Sequence, residues 1–156
     1  MKKSDYLIQE LEVIYHPSKN FDVITKTNLK TSKTASELLY SFYNINTINY
    51  QEEFIVLYLN NANNIMGVQH LSKGGITATF VDVRIIIATA LKCFATGILI
   101  SHNHPSGQLK PSMNDEVITL NIKKACKYFD ITLLDHIILA PSGEYFSFSD
   151  AGIMNY

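Results

Sequence analysis

The chain has 156 residues, about the length of one domain, and can bury a hydrophobic core without disulfide or metal cross-links. Hydrophobic residues make up 47% and charged residues 17%, which excludes a wholly disordered or collagen-like chain. The net charge is −1 and Arg84 is the single arginine, so we expect no autonomous nucleic-acid binding, because recognition of phosphates and guanines relies on arginine.

Cysteine usage and hydropathy indicate the compartment. Cys93 and Cys126 lie far apart with no Cys-x-x-Cys spacing, which favours a reducing environment. Acidic residues from Asp5 onward interrupt any signal-peptide pattern at the N-terminus. The most apolar stretch, residues 85–100, is broken by Lys92 and is shorter than the roughly 20 residues that span a bilayer. We therefore predict a cytoplasmic protein that has no membrane span.

The first half of the chain combines β-rich runs with one amphipathic helix. Ser32 is predicted to cap this helix, which ends in the Asn-rich stretch 44–49. Its apolar residues recur every three or four positions: Ala35, Leu38, Leu39, Phe42 and Tyr43. Strands are predicted at residues 11–15, 54–59, 65–71 and 76–81. The asparagine-rich turn 60–64 indicates that the second and third of these form a hairpin.

The second half interleaves helices with short apolar strands. Asp82 is predicted to cap a helix that reaches about Phe94, with Gly97 ending the helical region. Ser112 is predicted to open a helix that reaches about Phe129. The predicted core face of that helix is Val117, Leu120 and Ala125 or Cys126, and its solvated face is Lys123, Lys124 and Lys127. Strands are predicted at residues 98–100, 131–139 and 145–148, so the whole pattern predicts a single α/β or α+β domain.

The segment from His102 to Asp115 carries the chemistry. His102 and His104 lie two residues apart, so in extended backbone both imidazoles project to one side of the strand. Pro105 keeps His104 extended, because the residue before a proline avoids the helical region. Asp115 lies one turn into the next helix, where the loop allows it to fold back over the strand end. Two imidazoles, one carboxylate and an open fourth position are the ligand count of a catalytic zinc site.

Each of these motifs also has a purely structural explanation. Ser112 and Asp115 together match a helix capping box, and His-x-His pairs are common on protein surfaces. Their combination at the end of an apolar strand favours a functional site. His136, which follows Asp135 in an apolar strand, is predicted to be a structural or supporting residue and not a ligand.

The string His-Asn-His-Pro-Ser-Gly at residues 102–107, followed by Ser112-x-x-Asp115, resembles the signature of JAMM-type (MPN-domain) metalloproteases. The RadC-like branch is the closer match, and residues 134–138 and 145–148 resemble its later motifs. The resemblance covers about residues 52–152 and implies a mixed β-sheet flanked by helices. It divides the chain into a strand-helix extension packed on the core, residues 1–50, and a metal-binding domain, residues 51–156.

The chain departs from the family pattern at three places. Asn103 stands, as in the RadC-like branch, where general JAMM proteases have Ser or Thr between the histidines. Residues 83–85 read Val-Arg-Ile where the RadC-like branch has Pro-Arg-Glu. The first 50 residues show no Gly-x-Gly hairpin, which predicts a short form without the N-terminal helix-hairpin-helix region of longer members.

The resemblance assigns roles to individual residues. It implies that three residues hold a zinc ion: His102, His104 and Asp115. Ser112 would donate to the developing oxyanion. An upstream glutamate would act as general base, taking a proton from the activated water and passing it to the leaving amine. The chemistry of the residues leaves Glu52 and Glu53 open, and the family spacing favours Glu52.

The predicted activity is hydrolysis of a peptide or isopeptide bond in a peptide or protein substrate whose identity the sequence leaves open. One alternative is a DNA-repair or mobile-element accessory protein that uses the domain for association, with little or no hydrolytic activity. Another is a scaffold that zinc only stabilises. We expect no membrane partner, and a homo-oligomer is among the assembly states left open.

Overall fold

The structure, a computed structural model, describes residues 29–74 and 81–154. Within these ranges three helices pack on one five-stranded mixed sheet, which confirms the predicted α/β fold of a single domain with flanking helices. The helices are α1 (Ser32–Tyr40), α2 (Val83–Lys92) and α3 (Met113–Lys127). The strands are β1 (Glu53–Leu59), β2 (Ile65–Lys73), β3 (Gly97–Asn103), β4 (Thr132–Leu139) and β5 (Tyr145–Ser147). No helix in the described ranges has the length and apolar character needed to cross a membrane.

The order of the strands across the sheet is β2-β1-β3-β4-β5. β1 pairs antiparallel with both β2 and β3, which confirms the predicted hairpin at the Asn-rich turn. β3 and β4 are parallel and are connected through α3, as a crossover between parallel strands requires. The carboxyl end of β3 therefore lies beside the carboxyl end of β4 and beneath the start of α3. The candidate ligands of the sequence analysis lie at this corner.

Two hydrophobic layers cover the central strands. Every residue of β1 and β3 is buried, which explains why the two strands show unbroken apolar runs without alternation. Helices α2 and α3 cover one face through Ile86, Ala90, Ile122 and Cys126. Helix α1 covers the other face through Ala35 and Leu39. The proposed division of the chain at residue 50 stays a prediction.

Several predicted boundaries are wrong. Thr31 caps α1 in place of Ser32, whose hydroxyl bonds to Asp150. The helix ends at Tyr40, before the Asn-rich stretch. Asp82 caps α2 as predicted, but this helix ends at Lys92. Gly97 is the first residue of β3 and does not end the helical region.

The buried face of α3 also differs from the prediction. Its buried residues are Asp115, Thr119, Ile122 and Cys126, of which Cys126 was predicted, whereas Val117 is 52% exposed and Leu120 is half-buried. The apolar pattern failed because two positions on the buried face are polar. The two polar residues are Asp115, which faces His102 of β3, and Thr119, which faces His136 of β4. The strand predicted at residues 11–15 lies outside the described residues, as does the run at 76–81 apart from Val81, which is in no strand.

Candidate metal centre

The two histidines of the His-x-His motif converge at the end of β3. The strand extends beyond the predicted residues 98–100 and includes His102. The backbone N–H of His104 donates to the Leu139 carbonyl at 2.9 Å, which continues the pairing with β4 and keeps residue 104 extended. The Nε2 atoms of the two imidazoles lie 2.9 Å apart, as the alternation of side chains in an extended chain predicts.

The loop after β3 sets the orientation of the His104 ring. The N–H of Gly107 donates to the His104 carbonyl at 2.9 Å, and Gly107 has a φ of 78°, a conformation that glycine adopts without strain. This turn places the Gln108 carbonyl 2.5 Å from Nδ1 of His104. Because a carbonyl only accepts hydrogen bonds, Nδ1 carries the proton, and in the neutral ring Nε2 keeps its lone pair.

Asp115 belongs to a capping box and to the histidine cluster at once. Its Oδ2 accepts hydrogen bonds from the backbone N–H and the hydroxyl of Ser112, each at 2.7 Å. Its Oδ1 lies 3.2 Å from Nε2 of His102, and its Oδ2 lies 3.5 Å from Nε2 of His104. The capping box is therefore present and leaves the functional explanation possible, because the cap orients the carboxylate toward the imidazoles.

The electrostatics of the cluster favour an ionised carboxylate. Burial by itself would raise the pKa of Asp115, but the adjacent imidazoles of His102 and His104, whose protonated forms would pair with the carboxylate, and the hydrogen bond from Ser112 lower this pKa well below its usual range. The hydrogen bond to Asp115 raises the pKa of His104 above its ordinary value, against the opposing effect of burial. The Asp115 carboxylate thus favours the protonated form of His104.

The two neighbouring glutamates before β1 have different surroundings. Glu52, His102 and His104 each offer a ligand atom within 4.8 Å of those of the other two. Glu53 is 3% exposed, and its carboxylate contacts His70 Nδ1 at 2.5 Å and Lys73 Nζ at 3.5 Å. The structure therefore brings Glu52 to the cluster and places the Glu53 carboxylate in a separate ion pair.

Asn103, the residue between the two histidines, anchors the segment that carries Glu52. Its Oδ1 accepts the backbone N–H of Glu53 at 2.8 Å. Its Nδ2 donates to the carbonyls of Ile48 at 3.0 Å and Gln51 at 2.9 Å. The side chain is fully buried and bonds to the backbone on both sides of Glu52. In the sequence, Asn103 stands out only as a difference from general JAMM proteases, and no pattern there predicts these contacts.

A second buried imidazole supports His102. Nδ1 of His102 lies 2.8 Å from Nε2 of His136, whose own Nδ1 lies 2.6 Å from Oγ1 of Thr119. Burial and the neighbouring His102 lower the pKa of His136 well below its usual value. The predicted pairing with Asp135 does not involve the ring, because that carboxylate instead accepts the backbone N–H of His136. No pattern in the sequence identifies a threonine in mid-helix, so Thr119 was missed.

An open cleft of about 850 Å³ lies against the cluster. Its lining includes Glu52, His104 and Ser112 together with Tyr50, Gln108 and Lys110. A ligand in this cleft would therefore reach the candidate base, one candidate metal ligand and the candidate oxyanion donor. Clefts of this volume are typical of small-molecule or peptide-segment sites.

The donor atoms fit a metal ion of the zinc type. The Nε2 atoms of His102 and His104 lie 2.9 Å apart, and the Asp115 carboxylate lies 3.2 Å from the first through Oδ1 and 3.5 Å from the second through Oδ2. Ligands at about 2.0 to 2.1 Å from a tetrahedral zinc are separated by about 3.3 Å. The two nitrogens distinguish this set from the all-oxygen sites that Mg²⁺ and Ca²⁺ prefer. The cluster is therefore compatible with metal binding.

Comparison with known proteins gives one family. Residues 29–153 match the family model of the RadC-like JAB domain. A UPF0758 protein of Flavobacterium johnsoniae is 49% identical over 102 residues, which are 65% of this chain and 44% of the relative. UPF0758 proteins of Porphyromonas gingivalis and Streptococcus suis are 41% identical over 104 residues and 40% identical over 100 residues, respectively. These alignments cover 67% and 64% of this chain and 46% and 40% of the relatives.

The chain thus spans less than half the length of the curated relatives that it matches. The region that the family model matches, residues 29–153, includes β1, the His-x-His strand and the start of α3, so it contains every residue of the candidate site. The resemblance noted in the sequence is thereby confirmed. The chain belongs to the RadC-like JAB domain family.

Proposed function

We propose that this chain is a zinc-dependent hydrolase that cleaves a peptide or isopeptide bond. The observation that carries the proposal is the convergence of the Nε2 atoms of His102 and His104, 2.9 Å apart, with the Asp115 carboxylate 3.2 and 3.5 Å from them. Two nitrogen lone pairs and a carboxylate directed at one point repel each other unless a cation or a proton lies between them. Membership of the JAB superfamily, which includes metallohydrolases, supports the same conclusion.

The ligands of the zinc would be His102, His104 and Asp115, leaving a fourth position for water or substrate. Zinc, when bound, activates water as a nucleophile near neutral pH and polarises a carbonyl group. Glu52, within 4.8 Å of both imidazoles, would accept the proton of the attacking water and deliver it to the leaving amine. The removal of Ser112 as an oxyanion donor would cost about 2.7 to 4 kcal/mol in transition-state stabilisation, by analogy with other such donors.

The position of Ser112 adds a condition to its proposed role. Its hydroxyl donates to Oδ2 of Asp115 at 2.7 Å and accepts the backbone N–H of the same residue at 3.2 Å. To stabilise an oxyanion, the hydroxyl must turn its proton from Asp115 toward the cleft. The backbone N–H of Ser112 would keep its own bond to the carboxylate, so the ligand would stay oriented during this turn.

Metal content of purified variants tests the ligand assignment. We expect about one zinc per chain in the wild type and in Glu52→Gln, and none in His104→Ala or Asp115→Asn. His70→Gln is the matched control, since it changes a histidine outside the cluster and keeps a donor for Glu53. Elemental mass spectrometry gives the stoichiometry. A wild type that holds no zinc after zinc is supplied would contradict the proposal, as would retention of zinc by His104→Ala.

Hydrolysis is tested separately from metal binding. We expect the zinc-loaded wild type to cleave a fluorescent casein or a peptide with a branched isopeptide bond to lysine. Glu52→Gln should keep its zinc and lose about 10²- to 10⁴-fold in rate, the usual contribution of a general base. Equal rates for the two proteins would exclude Glu52 as the base. Zinc without cleavage of either substrate would favour the association or scaffold alternatives.

A further inference from the structure

The inference concerns the hydrogen atom on His102 and rests on the proposed function, because His102 is one of the proposed ligands. A neutral imidazole carries one proton, on Nδ1 or on Nε2, and only the nitrogen without a proton can bind a metal. The hydrogen bond at one ring nitrogen decides which form is present. For His104, the Gln108 carbonyl makes this choice. For His102, the partner is a second imidazole, which by itself could donate or accept.

The direction of this bond follows from a chain of contacts that ends on a carbonyl. Oγ1 of Thr119 lies 2.5 Å from the backbone carbonyl of Asp115. A carbonyl has no proton, so the single hydroxyl proton of Thr119 lies in this bond. Nδ1 of His136, 2.6 Å from the same Oγ1, must then be the donor. His136 thus carries its proton on Nδ1.

The remaining nitrogen of His136 sets the state of His102. In the neutral ring, Nε2 of His136 has only a lone pair, so the hydrogen in its 2.8 Å contact with Nδ1 of His102 belongs to His102. A doubly protonated His136 would reverse the bond, but the ring is fully buried and stacks on Phe148 at 4.6 Å. Its two nitrogens bond to an imidazole and a hydroxyl, neither of which would balance a buried charge.

We propose that Thr119 and His136 are positioning residues that hold His102 as its Nδ1–H tautomer, with the Nε2 lone pair directed at His104 and Asp115. This series of hydrogen bonds ends on the backbone carbonyl of Asp115, so it links one proposed ligand to another through the first turns of α3. A shift of α3 relative to β4 would change both ligands together. Most metal-binding histidines donate to a carboxylate, a carbonyl or water, whereas here a histidine and a threonine lie between the ligand and the carbonyl.

The tautomer of His102 in metal-free protein tests the proposal directly. Long-range ¹H–¹⁵N correlation spectra distinguish Nδ1–H from Nε2–H imidazoles in uniformly ¹⁵N-labelled protein. We expect Nδ1–H for His102 and His136 in the wild type and in Thr119→Ser, which keeps the hydroxyl. Thr119→Val has nearly the same shape but no hydroxyl, so we expect the Nε2–H form to become populated in both rings. An Nε2–H His102 in the wild type would overturn the proposal.

Metal affinity provides the second readout. We expect Thr119→Val to bind zinc about 10- to 100-fold more weakly than the wild type, the usual effect of losing a residue that orients a ligand, and Thr119→Ser to bind within a few-fold of it. Ser36→Ala is the matched control, because it removes another buried helix hydroxyl, bonded to the Lys33 carbonyl on the opposite face of the sheet. Equal affinities of Thr119→Val and Ser36→Ala would overturn the proposal.

Failure of this inference is distinguishable from failure of the proposed function. A wild type that binds no zinc contradicts the proposed function. An Nδ1–H tautomer of His102 that is lost only in Thr119→Val would still support the positioning role of Thr119 and His136. If the wild type binds zinc but its metal-free form has His102 as the Nε2–H tautomer, the proposed function stands and the positioning role of Thr119 and His136 is overturned. Thermal unfolding of each variant shows whether it is folded under the conditions of both measurements.

Discussion

Substitution of Asn103 gives the sharpest test of how the site is held together. Asn103→Asp is close to isosteric, yet we expect it to be strongly destabilising at neutral pH. The new carboxylate would still accept the Glu53 N–H, but its second oxygen would replace an amide donor that lies 3.0 and 2.9 Å from the carbonyls of Ile48 and Gln51. Three acceptors would then face one another without a proton between them.

The magnitude follows from burial of the group. Asn103 is fully buried, and an uncompensated charge at such a position costs about 3 to 5 kcal/mol. Asn103→Ala leaves one N–H and two carbonyls without this partner, and each unpaired buried group costs about 1 to 3 kcal/mol. Because water can reach the part-buried Gln51 carbonyl, we expect the free energy of unfolding to fall by about 2 to 5 kcal/mol. In a chain of this length, 1 kcal/mol lowers Tm by about 2 to 4 °C.

Unfolding in urea, followed by circular dichroism on metal-free protein, measures these losses. Asn44→Asp is the matched control, because this exposed side chain acts only as an acceptor for the Asn46 N–H at 2.9 Å, and it should stay within about 0.5 kcal/mol of the wild type. Burial raises the pKa of the new carboxyl in the folded state. Its protonated form is therefore favoured by folding, and the deficit of Asn103→Asp should shrink as the pH falls through that pKa. An Asn103→Asp variant as stable as the wild type at pH 7.5 would refute the reasoning.

Three further predictions address the charges and contacts around the site. Zinc affinity, measured by calorimetric titration, should fall about tenfold per pH unit below the pKa of His104, because the proton competes with the metal. The hydrogen bond to Asp115 raises this pKa above its ordinary value. An affinity independent of pH from 5.5 to 8 would contradict the prediction. Tyr43→Phe should lower the free energy of unfolding in urea by about 1 to 2 kcal/mol, since it removes the 3.0 Å bond to the buried Ser101 hydroxyl, and an unchanged value would contradict it. Burial raises the pKa of the Cys126 thiol to about 11, so at pH 8 it should react with a disulfide reagent only after denaturation, and prompt reaction in the native protein would contradict this.

Much of the fold was predictable because its signals are local. Apolar runs at residues 54–59 and 98–100 predicted β1 and β3 as strands, and the runs lack alternation because a strand covered on both faces has no polar side. Asp82 and Ser112 were recognised as caps because capping depends on the side chain and the next three residues. Predictions failed where a longer-range contact competes: Ser32 bonds to Asp150, far along the chain, and Thr31 caps the helix.

The pattern of α3 shows why part of the site was not predictable. Hydrophobic periodicity selected Val117 and Leu120 as the core face, but the buried face carries Asp115 and Thr119. Polar residues at buried positions violate the pattern on which such predictions depend. Here they are buried because they have partners on β3 and β4, and those partners are far away in the sequence.

The sequence by itself determined the candidate ligand set, since two histidines in extended backbone must project to one side, and a constrained loop leads to a capped acidic residue. The tertiary structure decided the contacts that orient this set. Pairing of β1 with β3 brings Glu52 to the histidines, and pairing of β3 with β4 places His136 behind His102. Strand pairing joins residues by register and not by distance along the chain, so no local pattern could reveal the contacts of Asn103 or Thr119.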